Sequence, residues 1–324
     1  MLYQSALNIC GGRTVYVRVG GLSIVVENIT KLYGSQKALD NVSFGIETGH
    51  ITGFLGPNGA GKSTMMKIIT GYIPASSGRV VIDGAEVGPD NIALKRKTGY
   101  LPENNPLYPE MYVTEYLTFV ASLYMARGER RRAVENIIEV TGLTPERNKR
   151  IGELSKGYRQ RVGLAQALIH NPDVLILDEA TTGLDPNQIV GIRNLISEAG
   201  REKTVMISTH IMQEVEAICD RVIIIDKGVI RANDNKENIL KLMNRKAGSV
   251  VVEFDGEPAI ESVRAVSGAG IVTRGRGREY IIESADGSDI RPALFAWCVA
   301  NSLTVLSLRQ QESNLEEVFR HLTK

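Results

Sequence analysis

The chain has 324 residues, of which 43% are hydrophobic and 23% charged. That size suits one large or two moderate domains with an ample core. The formal net charge of only +1 favours neither nucleic acid nor an anionic membrane as a partner. The three cysteines are widely spaced without a C-x-x-C, which favours reduced thiols in a cytosolic protein over disulfides or a zinc site. No run of about 18 apolar residues occurs, so we expect any membrane role to need a partner.

Residues 1–21 precede the first clear strand and look like an N-terminal extension. They lack a basic start and a long apolar middle, so they do not resemble a signal peptide, and we predict no obvious strand or helix there. Our hypothesis is that Leu22 is the true initiation site, read from an alternative start codon, which the intact mass of the natively expressed protein would test. The alternative is a genuine flexible extension, since termini are often disordered.

The pattern from residue 23 onward predicts a strand, then a connecting segment at residues 31–34, then strands around residues 42–46. Tyr33 is the only aromatic residue in the connecting segment. An exposed aromatic face near a nucleotide site can stack on a base, and a tyrosine packed at a domain edge is the equally good alternative.

The strongest motif spans residues 56–64 and fits the phosphate-loop pattern G-x-x-x-x-G-K-[ST]. An apolar strand at residues 51–55 precedes it, and a helix-favouring run at residues 65–70 follows it. Glycines let backbone N–H groups point at phosphates, Lys62 adds a cation, and Ser63 offers a hydroxyl to Mg²⁺. The stretch therefore predicts a nucleoside triphosphate site made of Gly56, Pro57, Asn58, Gly59, Ala60, Gly61, Lys62, Ser63 and Thr64.

Helical spacing follows at residues 113–126 and near residues 131–140, which predicts a helical insertion. The basic segment at residues 127–132 is interpreted as a solvated helix junction, because no aromatic residues are interleaved with it as in a nucleic-acid patch. Ser155 fits the N-cap of a further helix that runs to about residue 169.

A carboxylate pair, Asp178 and Glu179, ends the apolar run of residues 174–177, which is typical of a buried parallel strand. Such a pair is costly unless it serves a metal or a proton transfer. Beside Lys62, one acid can hold Mg²⁺ through water and the other can activate the attacking water. A further apolar strand at residues 204–209 leads to His210, by default a capped core histidine.

Together these motifs resemble the ABC-type ATPases, the nucleotide-binding subunits of ABC transporters, over roughly residues 23–244. Residues 56–64 are similar to the Walker A loop, 154–160 to the family signature, 174–179 to the Walker B strand, 183–185 to the D-loop, and His210 to the switch histidine. The resemblance implies an α/β phosphate-loop NTPase fold with a helical subdomain, and ATP and Mg²⁺ as cofactors. It also assigns Tyr33 to adenine stacking.

The signature departs from the usual LSGGQ. Lys156 replaces a glycine and Tyr158 replaces the glutamine, whereas Ser155 and Gly157 are kept. The variant resembles exporter-type subunits whose helix opens LSKGYRQR.

Two further positions depart from the family. Glu103 stands where the family places a glutamine that touches Mg²⁺ and the membrane partner, so it adds negative charge near the γ-phosphate although a carboxylate can still ligate. Ala180 replaces a usual proline after the catalytic glutamate, which removes no reacting group.

The resemblance implies that two such domains pair head to tail, so that ATP on one phosphate loop is also held by Ser155 and Gly157 of the other. It implies catalytic roles for Glu179, which polarises the water, and for His210, which holds the γ-phosphate. The implied Mg²⁺ ligands are Ser63, Asp178 and Glu103. The implied partners are a second ATPase subunit, identical or a paralogue, and an integral-membrane permease. We expect no nucleic-acid partner and a cytoplasmic location, peripheral on the inner face of the cell membrane.

Residues 245–248 look like a linker, so we predict an ATPase domain at residues 22–244 and an accessory domain at residues 245–324. The accessory pattern is β-α-β-β-α-β, with strands at 250–254, 270–274, 279–283 and 303–309 and helices at 258–266 and 290–300. That order predicts a small α+β ferredoxin-like domain, closed by a helix at residues 313–322. It contains no nucleophile, metal cluster or phosphate loop, which favours structural or regulatory packing.

The leading hypothesis is an ATP-hydrolysing subunit that energises an ABC-2-type exporter. Residues 211–215, the tail at 312–319 and the signature variant make the chain most similar to the gliding-motility-associated ABC ATPase of Bacteroidetes. The alternatives are a soluble ABC protein acting on ribosomes or DNA, and a low-turnover ATP-dependent assembly module.

Overall fold

The computed structural model describes residues 4–9, 13–18, 21–239, 250–275, 277–285, 288–310, 318–319 and 322–323. The chain divides into two compact units, Met1–Asn235 and Lys236–Leu322. The predicted domain boundary at residues 244 and 245, and the predicted linker, lie outside the described residues, so they stay predictions.

The elements of the first unit alternate between strands and helices for most of its length. In chain order they are β1 (Gln4–Ile9), β2 (Arg13–Arg18), β3 (Leu22–Tyr33), β4 (Gln36–Glu47), β5 (Ile51–Leu55), α1 (Lys62–Ile69), β6 (Ser77–Ile82), β7 (Ala85–Glu86), α2 (Ile92–Lys97), β8 (Thr98–Leu101), α3 (Val113–Tyr124), α4 (Arg127–Val140), α5 (Lys156–Leu168), β9 (Val174–Asp178), α6 (Pro186–Ala199), β10 (Thr204–Thr209), α7 (Met212–Ile218), β11 (Arg221–Asp226) and β12 (Val229–Asn235).

A six-stranded sheet forms the centre of this unit, in the order β12-β11-β5-β10-β9-β8. The strands from β11 to β8 are parallel, and β12 closes one edge antiparallel to β11. Every residue of β5, β9 and β10 is buried, which explains their largely apolar sequences. Parallel neighbours end at the same edge of a sheet, so the residues that follow β5, β9 and β10 meet where such folds bind ligands.

A second, antiparallel sheet has the order β4-β3-β6-β7. Helix α1 packs between the two sheets in one hydrophobic core, to which Met65 and Met66 contribute from the helix. Phe44 of β4 and Phe54 of β5 meet in that core, with ring centroids 5.6 Å apart. The helix that follows the phosphate loop is therefore anchored on both sides.

Helices α3 and α4 form the predicted helical insertion, and α5 is the helix predicted after Ser155. Helix α3 buries Val113, Tyr116, Leu117, Val120 and Ala121. Helix α4 begins at Arg127, earlier than the predicted residue 131, because arginine is a good helix former and a basic run does not break a helix. Helix α5 begins after Ser155, as predicted.

The N-terminal residues correct one prediction. Strands β1 and β2 pair antiparallel, with Gln4 opposite Arg18 and Ile9 opposite Arg13. The expectation of no strand in this region was wrong, because the period-two alternation of Val15 and Val17 with polar residues is a strand signal. The hypothesis of a start at Leu22 stays a prediction.

The second unit contains β13 (Val250–Phe254), α8 (Ile260–Arg264), β14 (Ala269–Arg274), β15 (Glu279–Ser284), α9 (Arg291–Ala300) and β16 (Val305–Gln310). Its sheet is antiparallel in the order β14-β15-β13-β16, which with this chain order is the ferredoxin-like arrangement. The fold class predicted for this unit is confirmed. The predicted closing helix at residues 313–322 and the tail at 312–319 lie mostly outside the described residues. Within the described ranges, none of the helices in either unit has both the length and the apolar character to span a bilayer.

Candidate functional site

The phosphate loop connects β5 to α1, and its backbone requires glycine. Gly61 directly precedes α1 with a φ of 105°, and Gly59 has a φ of 79°. A Cβ atom at Gly61 would lie 2.6 Å from the Ala38 carbonyl oxygen, and one at Gly56 would lie 2.5 Å from that of Ile225. Neither position admits a side chain without a shift of backbone. The loop N–H groups and the start of α1 form the kind of cradle that binds phosphate.

Lys62 is the first residue of α1, and its ammonium group lies inside the loop. Only 6% of the residue is exposed. Its Nζ donates hydrogen bonds to the carbonyl oxygens of Gly56 at 2.9 Å and Pro57 at 3.2 Å, and it lies 3.5 Å from Glu179 Oε1. A buried ammonium needs such partners. The cation therefore lies between the loop and the carboxylate pair.

Asp178 ends β9 and is almost fully buried. Its Oδ1 accepts hydrogen bonds from Ser63 Oγ at 3.2 Å and from Ser208 Oγ. Burial raises the pKa of this carboxyl group, and the hydroxyl hydrogen bonds from Ser208 and Ser63 oppose part of that rise because they favour the ionised form. Carboxylate and hydroxyl oxygens are the ligands that Mg²⁺ prefers. The adjacent oxygens of Ser63 and Asp178 therefore suit that cation.

Glu179 has a φ of 52°, a left-handed conformation that costs a residue with a side chain about 1–2 kcal/mol. Its N–H donates to the Ser208 carbonyl oxygen at 3.0 Å. Its carboxylate accepts from Thr182 Oγ1 at 2.7 Å and lies 2.9 Å from His210 Nδ1. Backbone strain of this kind concentrates at functional sites. Here it accompanies a carboxylate that contacts both Lys62 and His210.

One cleft of about 590 Å³ collects most of these groups. The predicted site residues that line it are Asn58, Gly59, Gly61, Lys62, Ser63, Thr64, Glu103, Glu179 and His210. Asp178 adjoins the cleft through its hydrogen bond with Ser63. The default interpretation of His210 as a core histidine was wrong, because 42% of its side chain is exposed and its ring faces Glu179.

Comparisons with known proteins identify the family. A family model described as ABC transporter matches residues 39–182. The linearmycin resistance ATP-binding protein LnrL of Bacillus subtilis (strain 168) is 34% identical over 306 residues, which cover 92% of this chain and 97% of that protein. The chain belongs to the ABC transporter ATP-binding proteins. The bacitracin transport ATP-binding protein BcrA of Bacillus licheniformis is 37% identical over 225 residues, which cover 69% of this chain and 72% of that protein.

A solved structure agrees with the family. The dimeric structure of a post-hydrolysis state of the ATP-binding cassette MJ0796, bound to ADP and Pi, matches with a TM-score of 0.60 and 28% identity. The match covers 65% of this chain and 98% of that one. The predicted ABC ATPase fold is confirmed, and the chain is an ATP-binding and ATP-hydrolysing subunit of the ABC transporter family.

In this ABC ATPase, Tyr33 is the last residue of β3, not part of a connecting segment. Its side chain is exposed, and Lys31 Nζ lies 5.3 Å from the ring centroid. Tyr33 is absent from the described residues that line the cleft, whereas Gln36, Lys37 and Ala38 at the start of β4 line it. The stacking role of Tyr33 stays a prediction.

The signature residues lie on a different surface from the phosphate loop. Ser155 caps α5, with its Oγ accepting from the Tyr158 N–H at 3.3 Å. Gly157 is buried against α6, where an added Cβ atom would lie 2.4 Å from Gln188 Cδ. Neither Ser155 nor Gly157 is among the described residues that line the cleft. A single subunit therefore does not bring its own signature to its phosphate loop.

Three of the residues that depart from the family pattern, Glu103, Lys156 and Ala180, occupy distinct environments. Glu103 is exposed and lines the cleft. Lys156 is exposed beside the D-loop, where a side chain at Gly183 would collide with its ammonium group. Ala180 is buried. Only the change at Glu103 alters the charge of the cleft itself.

Sequence reasoning missed several residues that line the cleft or contact its carboxylate pair. Ser208 donates a hydrogen bond to Asp178. This contact follows from the parallel register, which places Ser208 of β10 opposite Asp178 of β9. Thr182, three residues after Glu179, donates a hydrogen bond to the Glu179 carboxylate. Lys37 and Lys227 also line the cleft, from segments far apart in sequence, and no local pattern marks them.

A second cavity of about 570 Å³ lies beside Glu103, which lines both it and the cleft. We call it the aromatic groove; its aromatic and apolar lining includes Tyr72, Tyr100, Tyr108, Tyr116, Phe119, Val120, Leu123 and Tyr124. Tyr108 contacts Tyr116 and Phe119 edge-on, with ring centroids 5.9 and 6.2 Å away. Burial raises the pKa of Tyr116 to about 12. Phe119 and Leu123 remain exposed, and a large exposed apolar surface is typical of an interaction site.

Proposed function

We propose that this subunit energises export through a permease of the ABC-2 type, by ATP-driven closing and reopening of a pair of such subunits. The observation that supports it best is the division of the site. Lys62, Ser63, Glu179 and His210 line one cleft, whereas the signature glycine packs elsewhere on the same chain. A site divided in this way is suited to completion by a second subunit.

In the proposed reaction, the loop N–H groups and Lys62 bind the phosphates of ATP. Glu179 orients the attacking water and accepts its proton, which is the role of a base positioned near the γ-phosphate. His210 donates to the γ-phosphate and, through its contact with Glu179 at 2.9 Å, keeps that carboxylate aligned. Hydrolysis removes the attraction that holds the pair closed.

Mg²⁺ fits the oxygen atoms that lie beside Lys62. We propose that Ser63 and Asp178 hold it, directly or through water, and that Glu103, which also lines the cleft, contributes a carboxylate. Mg²⁺ usually keeps several waters and takes only one or two carboxylates besides the phosphates. The ion supplies positive charge to the phosphate oxygens when it is bound.

The second subunit would supply Ser155, Gly157 and the N-terminus of α5 to the bound nucleotide. That N-terminus carries partial positive charge, so it suits a phosphate. The similar cassette MJ0796 forms a dimer in its solved structure, which supports such a pairing for this chain. An identical subunit and a paralogue both fit the partner position.

The permease would dock in the aromatic groove. The groove exposes Phe119 and Leu123, and Glu103 connects it to the cleft, so a bound permease segment is next to a residue that faces the nucleotide. A permease bound there would hold the ATPase peripherally on the cytoplasmic face of the cell membrane. The names of two relatives, for linearmycin resistance and bacitracin transport, support an export function.

The narrower prediction of a role in gliding motility stays a prediction, supported by the resemblance of the signature, of residues 211–215 and of the tail at 312–319. The position of Glu103 favours a second candidate function, a low-turnover ATP-dependent assembly module, because this residue adds a carboxylate to the cleft.

The decisive experiment purifies the native protein from detergent-solubilised membranes and measures its ATP turnover. We expect an integral-membrane protein in stoichiometric amount and a turnover well above that of a Glu179→Gln control. Co-purifying ribosomes or DNA without a membrane protein would contradict export. A turnover equal to that of the control would favour the assembly module.

A further inference from the structure

Glu214 is a buried carboxylate that takes no part in the reaction described above. It belongs to the first turn of α7, is only 4% exposed, and is not among the described residues that line the cleft. Its Oε2 accepts a hydrogen bond from Thr209 Oγ1 at 2.8 Å, and its Oε1 accepts one from Thr181 Oγ1. Glutamate is almost never fully buried without partners, so this placement needs a reason.

The two threonines flank the proposed catalytic pair. Thr181 is two positions after Glu179, and Thr209 directly precedes His210. The Ile211 N–H donates to Thr209 Oγ1 at 3.0 Å, while the Thr209 hydroxyl proton is directed at Glu214. Glu214 therefore joins the turn that carries Glu179 to the strand end that carries His210.

Helix α6 is part of the same cluster. Arg193 of α6 has a buried Nε without a hydrogen-bond partner among the described residues. It lines a cavity of about 10 Å³ together with Thr181, Thr209 and Glu214. A guanidinium is the cation best suited to a buried carboxylate. Helix α6, which begins directly after Asp185 of the D-loop, therefore borders the same cavity as Glu214 and its two threonines.

We propose that Glu214 is a positioning residue for ATP hydrolysis, which holds the Glu179 turn and His210 at a fixed separation through Thr181 and Thr209. This inference rests on the roles proposed for Glu179 and His210. The left-handed backbone of Glu179 supports it, because such a conformation persists only where the surrounding structure imposes it. Small displacements of catalytic groups reduce turnover strongly, so the linkage controls the rate rather than nucleotide binding.

The first test replaces Glu214 with methionine, which has a similar length and no hydrogen-bond acceptor of comparable strength. We expect kcat of the full-length protein to fall about tenfold or more while KM for ATP and ATP-driven dimerisation stay unchanged. Gln213→Met, at the exposed neighbouring position of α7, is the matched control and should keep the wild-type kcat. An unchanged kcat for Glu214→Met, or a raised KM with unchanged kcat, would overturn the proposal.

The second test keeps Glu214 and changes its partners, so that it decides the matter even if Glu214→Met does not fold. We expect Thr181→Val and Thr209→Val to lower kcat, and Thr181→Ser and Thr209→Ser, which keep the hydroxyl, to restore it. Equal rates for the valine and serine variants would refute the linkage. A wild-type protein that hydrolyses ATP no faster than Glu179→Gln would instead refute the proposed function, so the two failures are distinguishable.

Discussion

His210 Nδ1 lies 2.9 Å from Glu179 Oε2, so that the residues directly after two neighbouring parallel strands, β9 and β10, are joined through their side chains. The same carboxylate lies 3.5 Å from Lys62 Nζ, at the end of the phosphate loop. Three strand ends of the central sheet therefore converge on Glu179. This convergence makes Glu179 the residue whose replacement is most informative.

Replacing Glu179 with glutamine keeps the size of the side chain but removes its capacity to accept a proton. A general base of this kind contributes about a hundredfold or more, so we expect at least that loss in phosphate release. ATP binding should persist, and size-exclusion chromatography with ATP should show an accumulated dimer. Glu198→Gln, an exposed glutamate of α6, is the matched control. Undiminished turnover in Glu179→Gln would falsify the role of Glu179.

Replacing Lys62 with alanine removes the buried ammonium from the phosphate loop. A hydrogen bond to a charged group contributes about 1.5–3 kcal/mol, so we expect Kd for ATP to rise roughly ten- to a hundredfold. Fluorescent-nucleotide titration measures the change. Lys97→Ala removes the same charge from the exposed end of α2 and should leave Kd unaltered. If both variants bound ATP equally well, Lys62 would not be a phosphate ligand.

Asp178 gives a pH-dependent prediction. Burial raises its pKa, so the native state retains a proton at pH values where the unfolded chain has released it. The free energy of unfolding therefore decreases as pH rises from the ordinary carboxyl pKa of 3.8 through the raised pKa of the folded state. The cost of the buried charge is fully present at pH values above the raised pKa. Asp178→Asn removes this charge but keeps an oxygen that accepts from Ser63 and Ser208.

We expect nucleotide-free Asp178→Asn to have a higher Tm than wild type near neutral pH. The difference should shrink as pH falls through the raised pKa to below 3.8, where the wild-type carboxyl group is protonated in both states. Thermal unfolding at a series of pH values measures it. A Tm difference that is the same at every pH would show that burial of the charge is not its cause.

Much of this site could be predicted from sequence because its parts are short and contiguous. The phosphate loop, its strand and its helix occupy consecutive residues, and β9 carries Asp178 at its end, so local pattern was sufficient. The same holds for the β-α-β-β-α-β order of the second unit. The role of His210 was predicted only from the family resemblance, because no local sequence pattern shows whether a histidine after an apolar strand is exposed.

Other features depend on contacts between distant segments. The bond between Ser208 and Asp178 follows from strand order and register, which the sequence does not specify locally. Glu214 lies on the buried side of a short helix, and its partners come from two other segments. The extension of β3 to Tyr33 depends on its pairing with Gln36 of β4. Tertiary contacts determine these hydrogen bonds and strand ends, so secondary-structure propensity alone could not predict them.

A charge in the aromatic groove should separate the ATPase from its permease. Phe119 is 43% exposed and contacts Tyr108 across the groove, so Phe119→Asp places a carboxylate where an apolar partner surface would dock. We expect the membrane protein to be lost on purification, with basal ATPase activity of the isolated subunit retained. Val140→Asp, an exposed apolar position at the end of α4, is the control. Retention of the membrane protein by Phe119→Asp would exclude this groove as the docking site.

Gly157 tests the division of the site between two subunits. A Cβ atom there would lie 2.4 Å from Gln188 Cδ, so Gly157→Ala displaces the Gln188 side chain within the same subunit, and in the proposed dimer it also crowds the nucleotide of the partner. We expect Gly157→Ala to reduce ATP-driven dimerisation and turnover while its ATP affinity as a monomer stays unchanged. Gln188→Ala relieves the internal collision alone. Full dimerisation of the double variant Gly157→Ala/Gln188→Ala would show that the glycine serves only internal packing. A double variant that stays impaired, while Gln188→Ala alone is active, would show that Gly157 acts on the partner's nucleotide.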